Sequence, residues 1–303
     1  MLHTPYDGSS KLFSIGLAQL DESQWLEEDE SLIPYLDEKL NLYKTLPGKV
    51  LVEDEGTREA QREVLELLQA HVLKHFPARY KRGGSVMHID GRHSVQLDDT
   101  ALSPIALAGL LVQEDLVLMR KSPEGWKLAA ASLCFPSAWN LLEKFRKPLS
   151  EIHAPVPEFG SGTRNASLIE RMFDNLNPAR SVLRWNWSLY GDDALYHPHS
   201  DNGMTRRFGA VQDISGRVFL RLERQTLRKL PISGDILFTI RIYIDPLEAL
   251  ARRAEGAALA ASIEAQILAL SDAQISYKGL ADERARLCAR LREIAEGPNG
   301  LPR

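Results

Sequence analysis

Residues 181–190 read SVLRWNWSLY, and this stretch decides the fold class. Polar and apolar side chains alternate along it with a period of two, which is typical of a β-strand. The apolar face consists of Leu183, Trp185, Trp187 and Leu189, and the polar face consists of Arg184, Asn186 and Ser188. A strand with one strongly polar face either faces solvent or lines a polar pocket.

Further strands are predicted on both sides of this stretch. Alternating apolar residues predict one strand around Val218–Leu222 and another over Ile236–Ile244, where Thr239, Arg241 and Tyr243 point the opposite way. Residues 108–137 predict a β-hairpin with arms Ala108–Arg120 and Trp126–Phe135, because the Pro and Gly residues between the arms favour a turn. The sequence therefore predicts a mostly antiparallel sheet.

Helices flank the predicted sheet. Residues 57–76 predict a helix with a buried face of Val64, Leu68 and Val72, an N-cap at Thr57 and a stop at Pro77. From Pro246 onward, two apolar stripes predict a helical hairpin with its turn in 271–279. The fold class is α+β, with a domain over residues 1–250, whose N-terminal part wraps the surface, and a C-terminal helical hairpin over 251–303.

Composition excludes several classes of protein. The 303 residues carry a net charge of −4, which gives no electrostatic support for binding nucleic acid or an anionic membrane. The chain shows no signal peptide and no apolar run long enough to span a membrane, so we expect a cytoplasmic protein. The two cysteines, Cys134 and Cys288, lie far apart and match no zinc or thioredoxin spacing.

His153 is the most unusual candidate for chemistry. It lies in IHAPVP at 152–157, where two prolines favour a stiff, extended backbone that could present a metal ligand. The alternative is a histidine that hydrogen-bonds a backbone carbonyl. Cys134 is a rival ligand, although its place at the end of an apolar strand is typical of a buried, inert thiol.

Other polar residues give weaker hypotheses. Arg184 and Asn186 could form a pocket wall, with Arg184 pairing a carboxylate, or an exposed sheet face. Arg224, Gln225, Thr226 and Arg228 form a polar cluster between two predicted strands, either a binding cluster or a solvated turn. The long polar segment 191–216 is typical of a lid or binding loop. Two groups remain as minor candidates: a metal cluster of His197, His199 and Asp201, and a pocket contribution from Tyr80, His88 and His93.

Several motifs together resemble the haem-dependent oxidative N-demethylase α-subunit-like family. The strings that carry the resemblance are HTPYDGSSKLFSIGLAQLD at 3–21, LVQEDLVLMRK at 111–121, CFPSAW at 134–139, KPL at 147–149, IHAPVP at 152–157, VLRWNWSL at 182–189 and ERQTLRKLPISGDILFTIRIYIDPL at 223–247. They occur in one order over roughly residues 3–250. The helical hairpin that follows adds little to the resemblance.

The resemblance implies a PAS-like fold, a haem b and an oxidative enzyme. It implies that His153 ligates the iron and that O₂ oxidises a small secondary amine, with electrons from a separate NADPH-dependent flavin/iron–sulfur reductase. Arg184, Asn186 and Arg224 are the further haem-binding candidates. The alternative function is a non-enzymatic haem or gas sensor, since PAS-like folds commonly serve as sensors.

Overall fold

The computed structural model describes residues 1–198 and 217–297. A seven-stranded sheet, in the order β1-β8-β9-β10-β6-β7-β2, forms its centre, and β3-β4-β5 form a second, smaller sheet. The strands are β1 (Ala18–Leu20), β2 (Leu51–Glu53), β3 (Tyr80–Gly83), β4 (Val86–Ile89), β5 (His93–Gln96), β6 (Asp115–Ser122), β7 (Gly125–Ser132), β8 (Ser181–Tyr190), β9 (Phe219–Lys229) and β10 (Ile236–Pro246).

Helices cover both faces of the large sheet. They are α1 (Leu32–Thr45), α2 (Pro47–Val50), α3 (Arg58–His75), α4 (Pro104–Gly109), α5 (Leu141–Lys144), α6 (Leu149–Ile152), α7 (Arg164–Asp174), α8 (Gly256–Leu268), α9 (Asp272–Tyr277) and α10 (Arg284–Glu296). Neighbouring strands of the large sheet pair antiparallel. The predicted α+β class with a mostly antiparallel sheet is therefore confirmed.

The strand predicted over residues 181–190 is confirmed at both ends. SVLRWNWSLY is β8, which pairs with β9 in a register that sets Arg184 opposite Gln225 and Asn186 opposite Glu223. Directly paired residues project to the same face of a sheet. The polar stripe of β8 therefore continues onto β9 instead of facing solvent.

The two faces of the sheet are covered by different parts of the chain. On one face lie the N-terminal segment and α3, where Trp25 is fully buried and its ring lies 5.1 Å from that of His71. On the other face lie α5, α6 and α7, which follow β7 in the chain. The C-terminal helices α8 and α10 pack on each other, and with Trp187, Leu222 and Leu247 they form a second apolar core.

The helix predicted over 57–76 is α3, which begins after Thr57 and ends at His75. Val64, Leu68 and Val72 are buried as expected. The C-terminal helical hairpin is also present as α8 and α10, although its connection contains an additional short helix, α9.

Two predictions of local structure are wrong. The first arm of the hairpin, predicted over Ala108–Arg120, begins too early: Ala108 and Gly109 belong to α4, which starts after Ser103, and β6 begins only at Asp115. The polar cluster Arg224–Arg228 lies inside β9 and not between two strands. Both faces of this part of β9 meet polar partners, so the sequence lacks the alternation of apolar residues that would have predicted a strand. The N-terminal part contains the 14-residue helix α1 and the fully buried Trp25.

Candidate functional site

A cavity lies between the large sheet and the layer formed by α5, α6 and α7. Aromatic and aliphatic side chains make most of its wall. They are Phe13, Ile15, Val117, Met119, Leu128, Trp139, Leu149, Ile152, Val156, Phe159, Ile169, Met172, Phe173, Leu227, Phe238 and Ile240. Such a wall suits a largely apolar ligand that a few polar groups orient.

The sheet supplies a polar patch to this cavity. Glu223 is buried, and its Oε2 accepts hydrogen bonds from Gln225 Nε2 at 2.5 Å and from Asn186 Nδ2 at 3.5 Å. Two side-chain amides thus hold one oxygen of the carboxylate on the cavity wall. Sequence analysis missed Glu223, although the period of two that starts at Leu220 and Leu222 puts Arg221, Glu223 and Gln225 on one face.

Arg184 is half-buried at the edge of the same patch, and its Nε is shielded from solvent. Its Nη2 donates to the carbonyl of Ser14 at 3.4 Å, and its Nε has no hydrogen-bond partner. Burial lowers the pKa of the guanidinium, and the charge of Glu223 acts in the opposite direction. A solvent-shielded guanidinium N–H without an acceptor is energetically costly until an acceptor binds, so this group is suited to an anionic ligand.

His153 lies across the cavity from the sheet, at the C-terminal end of α6. Its backbone is not extended as predicted but takes a helical turn, because its N–H bonds to Leu149 O at 2.9 Å and its carbonyl accepts from Val156 N at 2.8 Å. Rigidity therefore comes from hydrogen bonds as well as from the prolines. The histidine is nevertheless directed into the cavity.

The imidazole of His153 is kept neutral. Burial, followed by the positive charges of Lys144 and Arg184, lowers its pKa from 6.5 to about 4. The backbone of Leu149 acts in the opposite direction and raises this pKa. A neutral imidazole has a nitrogen lone pair that can bind a metal.

Two lysines and a tyrosine complete the wall, and sequence analysis had singled out none of them. Lys144 comes from α5. Tyr277 and Lys278 come from the C-terminal hairpin, and Lys278 Nζ donates to Trp187 O at 2.7 Å and to Ser188 Oγ at 3.2 Å. The hairpin is thus part of this cavity wall.

Cys134 does not line the cavity. It is fully buried, and its backbone N–H donates to Asp115 at 2.8 Å. Burial, with a further contribution from Asp115, raises the pKa of its thiol well above the usual value. A protonated thiol outside the cavity is poorly suited to ligate a metal within it.

Arg224 is not brought to the cavity either. It projects from the opposite face of β9, where it donates to the carbonyls of Trp25 and Gln24 and pairs with Glu27 at 3.0 Å. Tyr243 donates to the same Glu27, so the two residues hold the N-terminal segment on that face.

The minor candidates are also separate from the cavity wall. His88 and His93 lie in the small sheet, where they contact Ser94 and Asp37, and Tyr80 donates to Leu111 O at 2.8 Å. His197 Nε2 lies 3.3 Å from Asp192, whereas His199 and Asp201 fall outside the described residues. Within residues 1–198 and 217–297, no group of three or more His, Cys, Asp or Glu side chains could hold a metal ion.

Comparison with known families gives a match over most of the chain. A sequence model of the haem-dependent oxidative N-demethylase, alpha subunit-like family matches residues 16–288. The chain belongs to this family. Membership in the N-demethylase alpha subunit-like family points to haem dependence, an oxidative enzyme and a partner subunit. The match continues through α8 and α9 into α10, so it extends well past residue 250, where the resemblance carried by the motifs ends.

The cavity residues fit a haem. A haem needs a neutral axial nitrogen, cationic partners for two propionates and apolar walls for the porphyrin. His153 and the aromatic lining match two of these needs, and Arg184, with its unsatisfied Nε, offers one cationic partner for a propionate. In the part of the chain that the structure describes, no helix combines the length and apolar character needed to cross a membrane.

Proposed function

We propose that this chain is the catalytic subunit of an enzyme that binds haem b and oxidatively demethylates a small secondary amine. One observation carries the proposal. A buried carboxylate, Glu223, faces the same apolar cavity as a neutral histidine, His153, and a guanidinium with an unused N–H, Arg184. This set combines a site for a cationic amine with a site for a haem.

His153 is the axial ligand in this proposal, and Arg184 pairs a propionate. The sequence contains no CxxCH, so the haem is held by these contacts without thioether bonds, as haem b is. When bound, the haem supplies O₂ activation and amine oxidation, and this chain supplies binding and orientation. The PAS-like fold is part of the proposal. The five central strands of the large sheet, β6 to β10, support it. When they are numbered 1 to 5 in chain order, they lie side by side in the order 2-1-5-4-3, and α5, α6 and α7 lie between the second and the third strand in the chain.

Glu223 binds the substrate's ammonium group. A secondary amine is protonated at neutral pH, and a carboxylate on a largely apolar wall pairs with it strongly. Asn186 and Gln225 hold the carboxylate in place through Oε2, and the apolar residues accommodate the methyl groups while they exclude water. Asn186 therefore acts on the amine through Glu223.

The overall reaction requires a second protein. Dimethylamine, O₂, two electrons and two protons give methylamine, formaldehyde and water. The chain has only two cysteines, both buried, which cannot bind a four-cysteine iron–sulfur cluster. In this proposal the electrons come from a separate NADPH-dependent flavin/iron–sulfur reductase, in keeping with the partner subunit that the family name implies, and we place the pair in the cytoplasm.

The test is an optical spectrum of the protein purified with haem supplied. We expect a strong Soret band in the wild type, a lost or shifted band in His153→Ala, and an unchanged band in the control His88→Ala, whose histidine lies in the small sheet. Formaldehyde release from dimethylamine with a reductase then separates the enzyme from a haem or gas sensor. A wild type that binds no haem, or a haem spectrum indifferent to His153→Ala, refutes the assignment.

A further inference from the structure

The segment that carries His153 is tied to the sheet just before the histidine. Arg146 N donates to Leu128 O at 2.9 Å, and Leu128 N donates to Lys147 O at 3.2 Å, so residues 146–147 pair with β7. Arg146 has a left-handed backbone, with φ of 65°, which turns the chain sharply between α5 and α6. The end of α5 is therefore fixed relative to the cavity.

Lys144, the last residue of α5, reaches across this turn to α6. Its Nζ donates to the carbonyl of Ile152 at 2.5 Å, and Ile152 immediately precedes His153. A cation at the last carbonyls of a helical turn is electrostatically favourable and satisfies an acceptor that has no partner in the helix. The backbone of His153 is thus held from α5 as well as from Leu149 and Val156.

Lys144 also places a positive charge beside the histidine. Both side chains line the cavity. A fixed positive charge next to a metal centre favours the state of lower positive charge. For an iron bound at His153, that state is the ferrous one.

We propose that Lys144 is a positioning residue for His153 that also raises the reduction potential of the bound haem. The proposal rests on the proposed function. Lys144 directs the imidazole through the Ile152 carbonyl, and its charge makes the iron easier to reduce by an external electron donor.

The test compares haem-loaded wild type with Lys144→Met, Lys144→Arg and the control Lys147→Met, which removes an exposed charge three residues away. We expect Lys144→Met to shift the midpoint potential to more negative values and to alter the ferric electron paramagnetic resonance spectrum. Lys144→Arg should restore both, and Lys147→Met should resemble the wild type.

The outcomes separate this proposal from the assignment of haem. Loss of haem from Lys144→Met, with haem retained in Lys144→Arg, supports the positioning role. A Lys144→Met protein that binds haem with the wild-type potential and spectrum overturns it. A wild type without haem refutes the proposed function itself, and equal melting temperatures of the apoproteins show that folding is not the cause of any difference.

Discussion

Replacing Glu223 by glutamine tests the most specific claim about the site. The change keeps the size of the side chain and leaves a carbonyl oxygen that can accept from Asn186 and Gln225. It removes only the charge that is proposed to bind the ammonium group. Because Glu223 is buried, its contribution is less screened by solvent than that of a surface carboxylate.

The size of the effect follows from one hydrogen bond to a charged partner. Such a bond contributes about 1.5–3 kcal/mol, and about 1.4 kcal/mol corresponds to a tenfold change in affinity. We therefore expect Glu223→Gln to weaken dimethylamine binding by about 10- to 150-fold. The haem spectrum without amine should stay the same, because Glu223 is not a ligand to the haem.

The assay is a spectroscopic titration of the haem-loaded protein with dimethylamine at neutral pH, followed by formaldehyde release. Glu143→Gln on the exposed surface of α5 is the matched control. Dimethyl ether, an uncharged molecule of similar shape, should bind wild type and Glu223→Gln about equally. Equal affinity of the two proteins for dimethylamine would show that the carboxylate does not recognise the amine.

Three further predictions concern charges buried on both faces of the sheet. Arg184→Met should weaken haem binding by about 1.5–3 kcal/mol without lowering the melting temperature of the apoprotein, because the guanidinium has an unsatisfied Nε before haem binds. If haem raised the melting temperature of Arg184→Met as much as that of the wild type, Arg184 would not bind the haem. Burial, then the charges of His75 and Arg228, lowers the pKa of His71 from 6.5 to about 4, so the folded state disfavours its protonation and stability is lost as the pH falls from 6.5 towards 4. In denaturant unfolding at pH 4.5 and 7.5, His71→Phe should reduce the difference in unfolding free energy between the two pH values by up to about 3 kcal/mol. An unchanged difference would contradict this prediction. Burial raises the pKa of Glu28 to about 7, so ionisation destabilises the folded state as the pH rises from 4.5 to 7. Glu28→Gln should increase the unfolding free energy by up to about 3 kcal/mol at pH 8 and leave it unchanged at pH 4. The exposed control Glu30→Gln should leave it unchanged at both pH values, and a Glu28→Gln protein that is less stable than the wild type at pH 8 would exclude this cause.

Regular elements with a clear period could be predicted from the sequence. Strand β8 and helix α3 were predicted closely, because in each the side chains on one face share one environment along the whole element. The same logic failed at β9 and α4. Past Leu222 in β9, Arg224 and Gln225 lie on opposite faces and both meet polar partners, so apolar and polar residues no longer alternate there. The apolar residues of α4 are buried on all sides, so α4 shows no period.

The sequence by itself determined the α+β class, the strand SVLRWNWSLY with its polar face, and the candidacy of His153. Only the tertiary structure decided that Arg184, Asn186 and His153 share one cavity, that Glu223 joins them, and that Arg224 and Cys134 lie outside it. The physical reason is that a strand's period assigns a side chain to a face but does not say what covers that face. Coverage depends on contacts between residues far apart in the chain, such as Lys278 with Trp187 or Arg184 with Ser14, which no local pattern records.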